Sequence, residues 1–335
     1  MLQPAPEPPI DVASASASHR RLPGWIGLSL RIAATLGLIA FVLRGIDWVA
    51  MRGLLESLNW GWFAAGLFTA IAIQVVAGIR WSALARPVGF DHSTAAFVWR
   101  FFEGVFFNLC LPSSIGGDVI KAYRLAETTR GRLLAGCTIL ADRLAGVSAL
   151  GVLAGAALLA IRFGLTPLAT LAVGLVLLAA VIVFFRLSFG GLDRLLDLLP
   201  NQHRLRQFLA QLLPYQQRPH LMTQAVGWSL IVQIGASVSV AFFARGIGVS
   251  LGLGIWFSIV PLIALAMVLP VSINGVGVRE GGMALLLAPW GVGKEQAVAI
   301  GLLWFLATIV TGLIGGVLFM LDRRRQASLP TSGSA

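Results

Sequence analysis

Long apolar runs, separated by short polar connections, make up most of this chain of 335 residues. A helix needs about 17–25 predominantly apolar residues to cross the hydrocarbon core of a bilayer. The pattern predicts six such spans, at 25–43, 60–79, 138–161, 165–186, 221–244 and 297–321. In lipid, only helices and closed barrels satisfy every backbone group, and runs of this length predict helices. We therefore expect an all-α, polytopic membrane bundle.

Two further apolar stretches, 95–135 and 254–290, are interrupted by related motifs. The first motif reads LPSSIGGD from Leu111, and the second reads LPVSINGVGVRE from Leu269. Proline removes a helix donor and glycine tolerates strained backbone. The predicted helix breakers are Pro112, Gly116, Gly117, Pro270, Gly275 and Gly277. Each stretch is predicted to be a re-entrant hairpin of two half-helices. If each is instead two full spans, the total is eight to ten spans.

The distribution of arginine predicts the orientation, because loops rich in Lys and Arg stay in the cytoplasm. Arg20 and Arg21 precede the first span, and further arginines occupy 186–220 and 323–325. Both termini are therefore expected in the cytoplasm. The halves 25–161 and 165–321 then each read span, span, hairpin, span, with opposite polarity. This order is typical of the inverted-topology repeat of secondary transporters.

The remaining segments are polar or amphipathic. We expect a disordered cytoplasmic N-terminus over 1–24, a transmembrane domain over 25–321 and a basic cytoplasmic tail over 322–335. Segment 189–213 has apolar residues at helical spacing among arginines, which is typical of a helix lying in the membrane interface.

Composition excludes several classes of protein. The chain is 57% hydrophobic and 12% charged, whereas soluble domains have about 45–50% apolar and about 25% charged residues. A net charge of +11 would suggest nucleic acid in a soluble protein; here it is explained by cytoplasmic loops and anionic phospholipids, and no nucleic-acid partner is expected. Two cysteines and four histidines form no ligand pattern, so we expect neither metal nor cofactor.

The first motif carries three charges, Asp118, Lys121 and Arg124. Asp118 is predicted to be the N-cap of the returning half-helix, whose free N–H groups and dipole favour an anion. Lys121 and Arg124 lie on one face near it and are candidates for binding a phosphate headgroup. The alternative interpretation is that these charges only flank a span.

The second motif offers similar chemistry through Asn274, Arg279 and Glu280. Asn274 belongs to the predicted turn, Arg279 is a candidate for bidentate phosphate binding, and Glu280 suits a helix start. We expect the two half-helix starts to meet near the midplane in one positive pocket. The alternative is that Arg279 and Glu280 only hold the hairpin together.

Four other residues are candidates for coupling or for structural pairing. Glu103 and Asn108 precede Pro112 in an apolar run, where Glu103 either carries a coupling proton or is interfacial. Asp142 is expected to pair with Arg124 or Lys121, or to form a local pair with Arg143. Hydrolase and transferase motifs are not found in the sequence, so no catalytic residue is predicted.

These motifs resemble a known family. Residues 108–118 with Tyr123 and Arg124, then Asp142-Arg143-Leu144, then the second motif through Glu280, resemble the lysylphosphatidylglycerol synthase transmembrane region, also called the flippase-like domain. The resemblance covers about 25–321 and implies a multi-pass protein of the bacterial inner membrane that handles phospholipids. Many relatives have Glu-Arg where this chain has Asp142-Arg143.

The resemblance leads to three hypotheses about function. Synthases of this type carry a soluble C-terminal domain for aminoacyl transfer, which we expect to be absent here. A lipid flippase is the first hypothesis. A membrane-embedded transferase working with a separate lipid-modifying enzyme is the second, and a membrane subunit without transport activity is the third.

Overall fold

A computed structural model describes residues 24–111, 116–126, 128–190, 196–198, 200, 206, 209–218, 220–269 and 271–327. Within these residues the regular secondary structure is entirely helical. The α-helices are α1 Gly24–Leu43, α2 Trp48–Glu56, α3 Trp60–Ala85, α4 Thr94–Cys110, α5 Gly116–Leu125, α6 Thr129–Phe163, α7 Pro167–Gly190, α8 Leu213–Gln217, α9 His220–Gly246, α10 Leu253–Val268, α11 Val278–Leu287 and α12 Lys294–Ala327.

Five of these helices, α3, α6, α7, α9 and α12, are long and apolar enough to cross a membrane. The bent pair α1 and α2 becomes a sixth candidate if it is treated as one span, although the bend between them is 87°. The side chain of Asp47 caps α2 by accepting from the backbone N–H groups of Val49 and Ala50. The predicted polytopic all-α bundle is confirmed.

The two interrupted stretches form helical hairpins. The first pairs α4 with α5, which have 17 and 10 residues; the second pairs α10 with α11, which have 16 and 10 residues. A ten-residue helix is about 15 Å long, half of the hydrocarbon core. The imidazole Nε2 of His92, before α4, lies 3.3 Å from the carbonyl oxygen of Leu125, the last residue of α5. The first hairpin therefore starts and ends on one side.

The predicted breakers that belong to the described residues lie at the hairpin tips. Pro112 and Pro270 lie outside the described residues, and Gly116 and Gly117 begin α5. In the second hairpin, Asn274, Gly275 and Gly277 all have positive φ angles, of 52°, 71° and 84°. Such angles reverse the chain between α10 and α11 and favour glycine.

Contacts between loops define one end of the bundle, which we call end A. The Lys294 ammonium donates to the Arg44 carbonyl at 2.5 Å, and the Asn59 N–H donates to the Gly246 carbonyl at 2.8 Å. The end of α1, the start of α3, the end of α9 and the start of α12 therefore lie together. The second hairpin, which runs between Gly246 and Lys294, enters the bundle from end A.

The opposite end, end B, is defined by the end of α3 and by α8. The Tyr215 hydroxyl donates to the Leu84 carbonyl at 3.1 Å, and Arg218 donates to the Pro87 carbonyl at 2.7 Å. His92 and Leu125 follow at this same end, so the first hairpin enters from end B. The two hairpins thus enter from opposite ends, as the inverted repeat predicts.

Packing between the halves has the same symmetry. Helix α3 lies along α9, α4 lies along α12, and α10 lies along α6. Each hairpin therefore packs against the last span of the other half. Glycine allows close approach at one of these contacts, because a Cβ at Gly315 of α12 would overlap the carbonyl oxygen of Phe102 on α4. Small residues at such crossings are typical of membrane helices.

Three predicted segments are outside or mostly outside the described residues. They are 1–23 of the N-terminal segment, most of the interfacial segment 189–213, and 328–335 of the tail.

Candidate functional site

Asp118 lies at the centre of a cluster at the tip of the first hairpin. Lys121 places its ammonium 2.8 Å from Asp118 Oδ1, and Arg143 of α6 donates through Nε to Asp118 Oδ2 at 2.7 Å. The N-cap prediction for Asp118 is wrong, since α5 begins at Gly116 and Asp118 is in its first turn. Asn108 of α4 takes that role, because its Oδ1 accepts from the Gly117 N–H at 2.9 Å.

Asn108→Ala is expected to lower the free energy of unfolding by about 1 kcal/mol, the usual cost of losing a side-chain cap. The Gly117 N–H would lose its acceptor at the hairpin tip. Thermal denaturation in detergent measures the effect. Gln296→Ala is the matched control, because Gln296 accepts from the Gly293 N–H at an exposed position. A smaller loss for Asn108→Ala than for Gln296→Ala would contradict this role.

Lys121 is buried among aromatic rings as well as paired with Asp118. Its ammonium lies 4.6 Å from the centroid of the Phe101 ring and 5.6 Å from that of Trp81. A cation over an aromatic face is attracted to the ring quadrupole, more strongly where water is excluded. These neighbours hold Lys121 inside the bundle.

Arg279 and Glu280 form an equivalent cluster at the start of α11. Arg279 donates through Nε to Glu280 Oε1 at 3.0 Å, and Glu280 Oε2 accepts from the Gly277 N–H at 2.7 Å. The Arg279 side chain is 1% exposed and lies over the rings of Phe305 and Trp304 of α12, at 4.7 and 5.8 Å. Glu280 therefore both closes the helix start and neutralises Arg279.

Lys121 and Arg279 are separated by the same number of residues as Pro112 and Pro270. They therefore occupy equivalent positions in the two motifs. Both are buried cations with a carboxylate partner and two aromatic neighbours. However, α5 packs on α4 and α6, whereas α11 packs on α10 and α12. The structure therefore has two separate clusters where one shared positive pocket was expected: two cations around Asp118, and the single pair of Arg279 with Glu280.

Asp142 belongs to a third cluster, which joins three spans. Arg80 of α3 donates to both carboxylate oxygens of Asp142, at 2.6 and 2.9 Å, and to the Ser229 hydroxyl of α9 at 2.8 Å. The predicted pairing of Asp142 with Lys121 or Arg124 is wrong. Successive residues of a helix point about 100° apart, so Arg143 faces α5 while Asp142 faces α3.

Arg124 belongs to a fourth cluster, close to end B. Its guanidinium donates to both carboxylate oxygens of Glu103, at 3.0 and 3.2 Å, and also contacts Asp322 of α12. The Glu103 side chain is 1% exposed. The pair therefore fixes the end of α5 to α4, and Asp322 links both to the other half of the repeat.

A cleft of about 130 Å³ opens beside this fourth cluster. The residues that line it are Ala96, Trp99, Arg100, Glu103, Arg124 and Asp322. Arg100 Nη1 is buried without a hydrogen bond in the part of the chain that the structure describes. Two guanidinium groups and two carboxylates therefore face one space, where an anion could use the donors of Arg100. We call it the Arg100 cleft.

Sequence reasoning missed Arg100 as a site residue and assigned Asp322 to the tail. Arg100 is one turn before Glu103 on α4, so the signal available in the sequence was a second charged residue on the same helix face as Glu103. Asp322 belongs to α12, which continues to Ala327. The described residues contain no group of three or more His, Cys, Asp or Glu side chains that could hold a metal ion.

Comparison with known proteins gives one match. The model of the family described as "Lysylphosphatidylglycerol synthase TM region" matches residues 28–316. No curated protein and no solved structure matches the chain. The matched range contains all four clusters except Asp322.

Proposed function

This chain belongs to the lysylphosphatidylglycerol synthase TM region family, and we propose that it is a flippase for a phospholipid or a lipid-linked substrate. The Arg100 cleft binds the phosphate of the headgroup. The observation that carries the proposal is the position of this cleft, between the first hairpin and α12 of the other half.

Architecture supports the proposal. Transporters built from inverted repeats bind substrate near broken helices and expose it alternately by moving one half against the other. Asp322 comes from the second half, while Arg100, Glu103 and Arg124 come from the first. Movement between the halves would therefore break the Arg124–Asp322 contact and change access to the cleft.

Charge also supports the proposal. Arginine binds phosphate through a planar fork of donors, and such pairs strengthen where water is excluded. Arg100 can donate directly to a phosphate. Arg124 can donate to the same phosphate in place of the Asp322 carboxylate. Glu103 and Asp322 would favour a headgroup that also carries an amine.

The other predicted substrate residues have a supporting role in this proposal. Asp118 with Lys121, and Arg279 with Glu280, hold the hairpin tips, and Asn274 makes the second turn. Glu103 serves as the partner of Arg124, and its use as a coupling group is a further part of the proposal. We place end B on the cytoplasmic side of the inner membrane, because the arginines of 186–220 favour the cytoplasm.

Reconstitution into liposomes tests this function. Flipping of a fluorescent phospholipid, followed by its accessibility to a reductant outside, should require the protein. Arg100→Ala should slow flipping about tenfold, since a hydrogen bond to a charged group is worth about 1.5–3 kcal/mol. Arg52→Ala is the control, because its side chain is 81% exposed and pairs only with Glu56 among the described residues.

Equal flipping by Arg100→Ala, Arg52→Ala and the parental protein would exclude the Arg100 cleft as the site. Vesicles in which the parental protein gives no flipping above protein-free vesicles would exclude transport of that phospholipid.

The description of the family as a synthase region favours a second candidate function. In it, the chain is the membrane subunit of a lipid-modifying system and presents the lipid to a separate enzyme. Headgroup modification that requires this chain, in membranes where it supports no flipping, would favour the second candidate.

A further inference from the structure

Helix α2 lies along end A, between α1 and α3. Both of its ends are held there: the Asp47 N–H, just before α2, donates to Glu295 Oε1 of α12 at 3.3 Å, and Asn59, just after it, donates to Gly246. The bend between α1 and α2 is 87°. Helix α1 alone has 20 residues, enough to cross the hydrocarbon core. Helix α2 is therefore not needed as part of a span and runs across the end of the bundle.

The level of end A follows from the lengths of two neighbouring spans. Helices α3 and α9 have 26 and 27 residues and pack along each other from one end of the bundle to the other. Each is about 40 Å long, and a bilayer with its headgroup layers is about 40–45 Å thick. Helices that fill the bilayer in this way end in the headgroup layers. Helix α2 joins these ends, so it lies in a headgroup layer too.

The side chains of α2 divide into three faces. Met51 is buried in the core beside α12. Arg52 and Glu56 form an ion pair at 2.6 Å, and both are exposed. Trp48 and Leu55 are exposed as well, and they lie seven residues apart, which places them on one side of the helix. A buried face, a charged face and an apolar face are typical of a helix that lies in the membrane interface.

Exposed apolar residues continue from α2 onto the adjoining helices. Phe41 in the last turn of α1 and Trp60 in the first turn of α3 are both exposed. Tryptophan is enriched at membrane–water interfaces, because its ring is apolar and its N–H is polar. The apolar face of α2 is therefore continuous along the chain with the lipid-facing surface of the spans, and lipid is the partner that covers it.

Charges on this surface are balanced. Segment 44–56 has two arginines and two acidic residues, and the start of α12 adds Lys294 with Glu295. Basic interfacial helices gain part of their binding from anionic lipids. A surface on which the charges cancel gains little in this way, so its contact with lipid depends on its apolar residues.

We infer that the apolar face of α2, formed by Trp48 and Leu55, docks into the lipid headgroup layer at end A through apolar contact that does not require anionic lipid. The partner is the lipid surface, not a single lipid molecule. Because Met51 and Asp47 join α2 to α12, this contact also holds the start of α12 at the level of the headgroups. The Arg100 cleft lies near the opposite end, so the inference is independent of the proposed function.

Spin labelling in vesicles tests this contact. In a background carrying Cys110→Ser and Cys137→Ala, a nitroxide is attached at Leu55→Cys or, as control, at Gly53→Cys. Residues two apart on a helix point about 160° apart, and a Cβ at Gly53 meets no atom within 4 Å. Collisions with oxygen, which concentrates in lipid, are compared with collisions with a nickel chelate, which stays in water. The vesicles are phosphatidylcholine alone or phosphatidylcholine mixed with phosphatidylglycerol.

The ratio of oxygen to nickel collisions should be several-fold higher at position 55 than at position 53 in both kinds of vesicle. Trp48→Gln should lower the ratio at position 55, because the apolar face loses its largest side chain. Val49→Gln is the matched control and should leave the ratio unchanged. Val49 is exposed like Trp48, but it lies seven residues before Glu56 and therefore on the charged side of α2.

Equal ratios at positions 55 and 53, or a ratio at 55 that Trp48→Gln does not lower, would overturn the docking face. A difference that appears only with phosphatidylglycerol would overturn apolar docking, since anionic lipid would then be required. Spin–spin broadening between labels at position 55 that persists on dilution with lipid would also overturn it, because a second copy of the chain would then cover this face.

Discussion

Asp142→Ala should lower the free energy of unfolding by about 3–5 kcal/mol, the usual cost of removing one partner of a buried ion pair. Arg80 would keep its charge inside the bundle and, of the three hydrogen bonds described above, would retain only the one to the Ser229 hydroxyl. Loss of the pair would also remove one link between α3 and α6, which keep the hydrogen bond from Trp81 Nε1 to the Thr138 hydroxyl at 3.1 Å. The midpoint of unfolding in mixed detergent micelles, compared with the parental protein, measures the effect.

Two further variants test whether the loss of stability comes from leaving a buried charge without a partner. Arg80→Ala combined with Asp142→Ala should recover part of the loss, since no charge is then left unpaired. Glu56→Ala should change stability by at most about 1 kcal/mol, because its pair with Arg52 is exposed. A double variant less stable than Asp142→Ala would show that the loss comes from packing and not from the charge.

The spans and the hairpins could be predicted because hydropathy and helix breaking are local properties. The length of each apolar run is enough to predict a membrane span, and the prolines at 112 and 270 are enough to predict the helix breaks. The opposite polarity of the halves followed from the positions of a few arginines. None of these steps required knowledge of which helices touch.

Partners of the charged residues could not be predicted in the same way. Asp142 and Arg143 are adjacent in sequence, yet they pair with different helices, α3 and α5, because a helix turns neighbours apart. The N-cap assignment of Asp118 failed because Asn108, from the other arm of the hairpin, reaches the same helix start. Arg100 became a site residue only when the cleft appeared between α4 and α12.

Gly315→Ala should be the most damaging exchange of glycine for alanine at the contact between the two halves. The added methyl group would overlap the Phe102 carbonyl and approach the Glu103 N–H at 3.1 Å. These are backbone atoms, so α12 and α4 would have to separate. Overpacking of this kind costs about 1–3 kcal/mol, occasionally more. The same shift would separate Asp322 from Arg124, because both depend on this crossing.

Gly151→Ala on α6 is the matched control, because a Cβ built there meets no atom within 4 Å. It should be neutral or stabilising by up to about 1 kcal/mol, through the higher helix propensity of alanine. Denaturation midpoints and flipping rates of both variants should be measured together. If Gly315→Ala matches Gly151→Ala in both measurements, α4 and α12 do not pack as closely as the structure has them. If only flipping falls, the crossing is needed for movement between the halves more than for folding, because a small separation of the helices is then tolerated by the bundle but not by the Arg100 cleft.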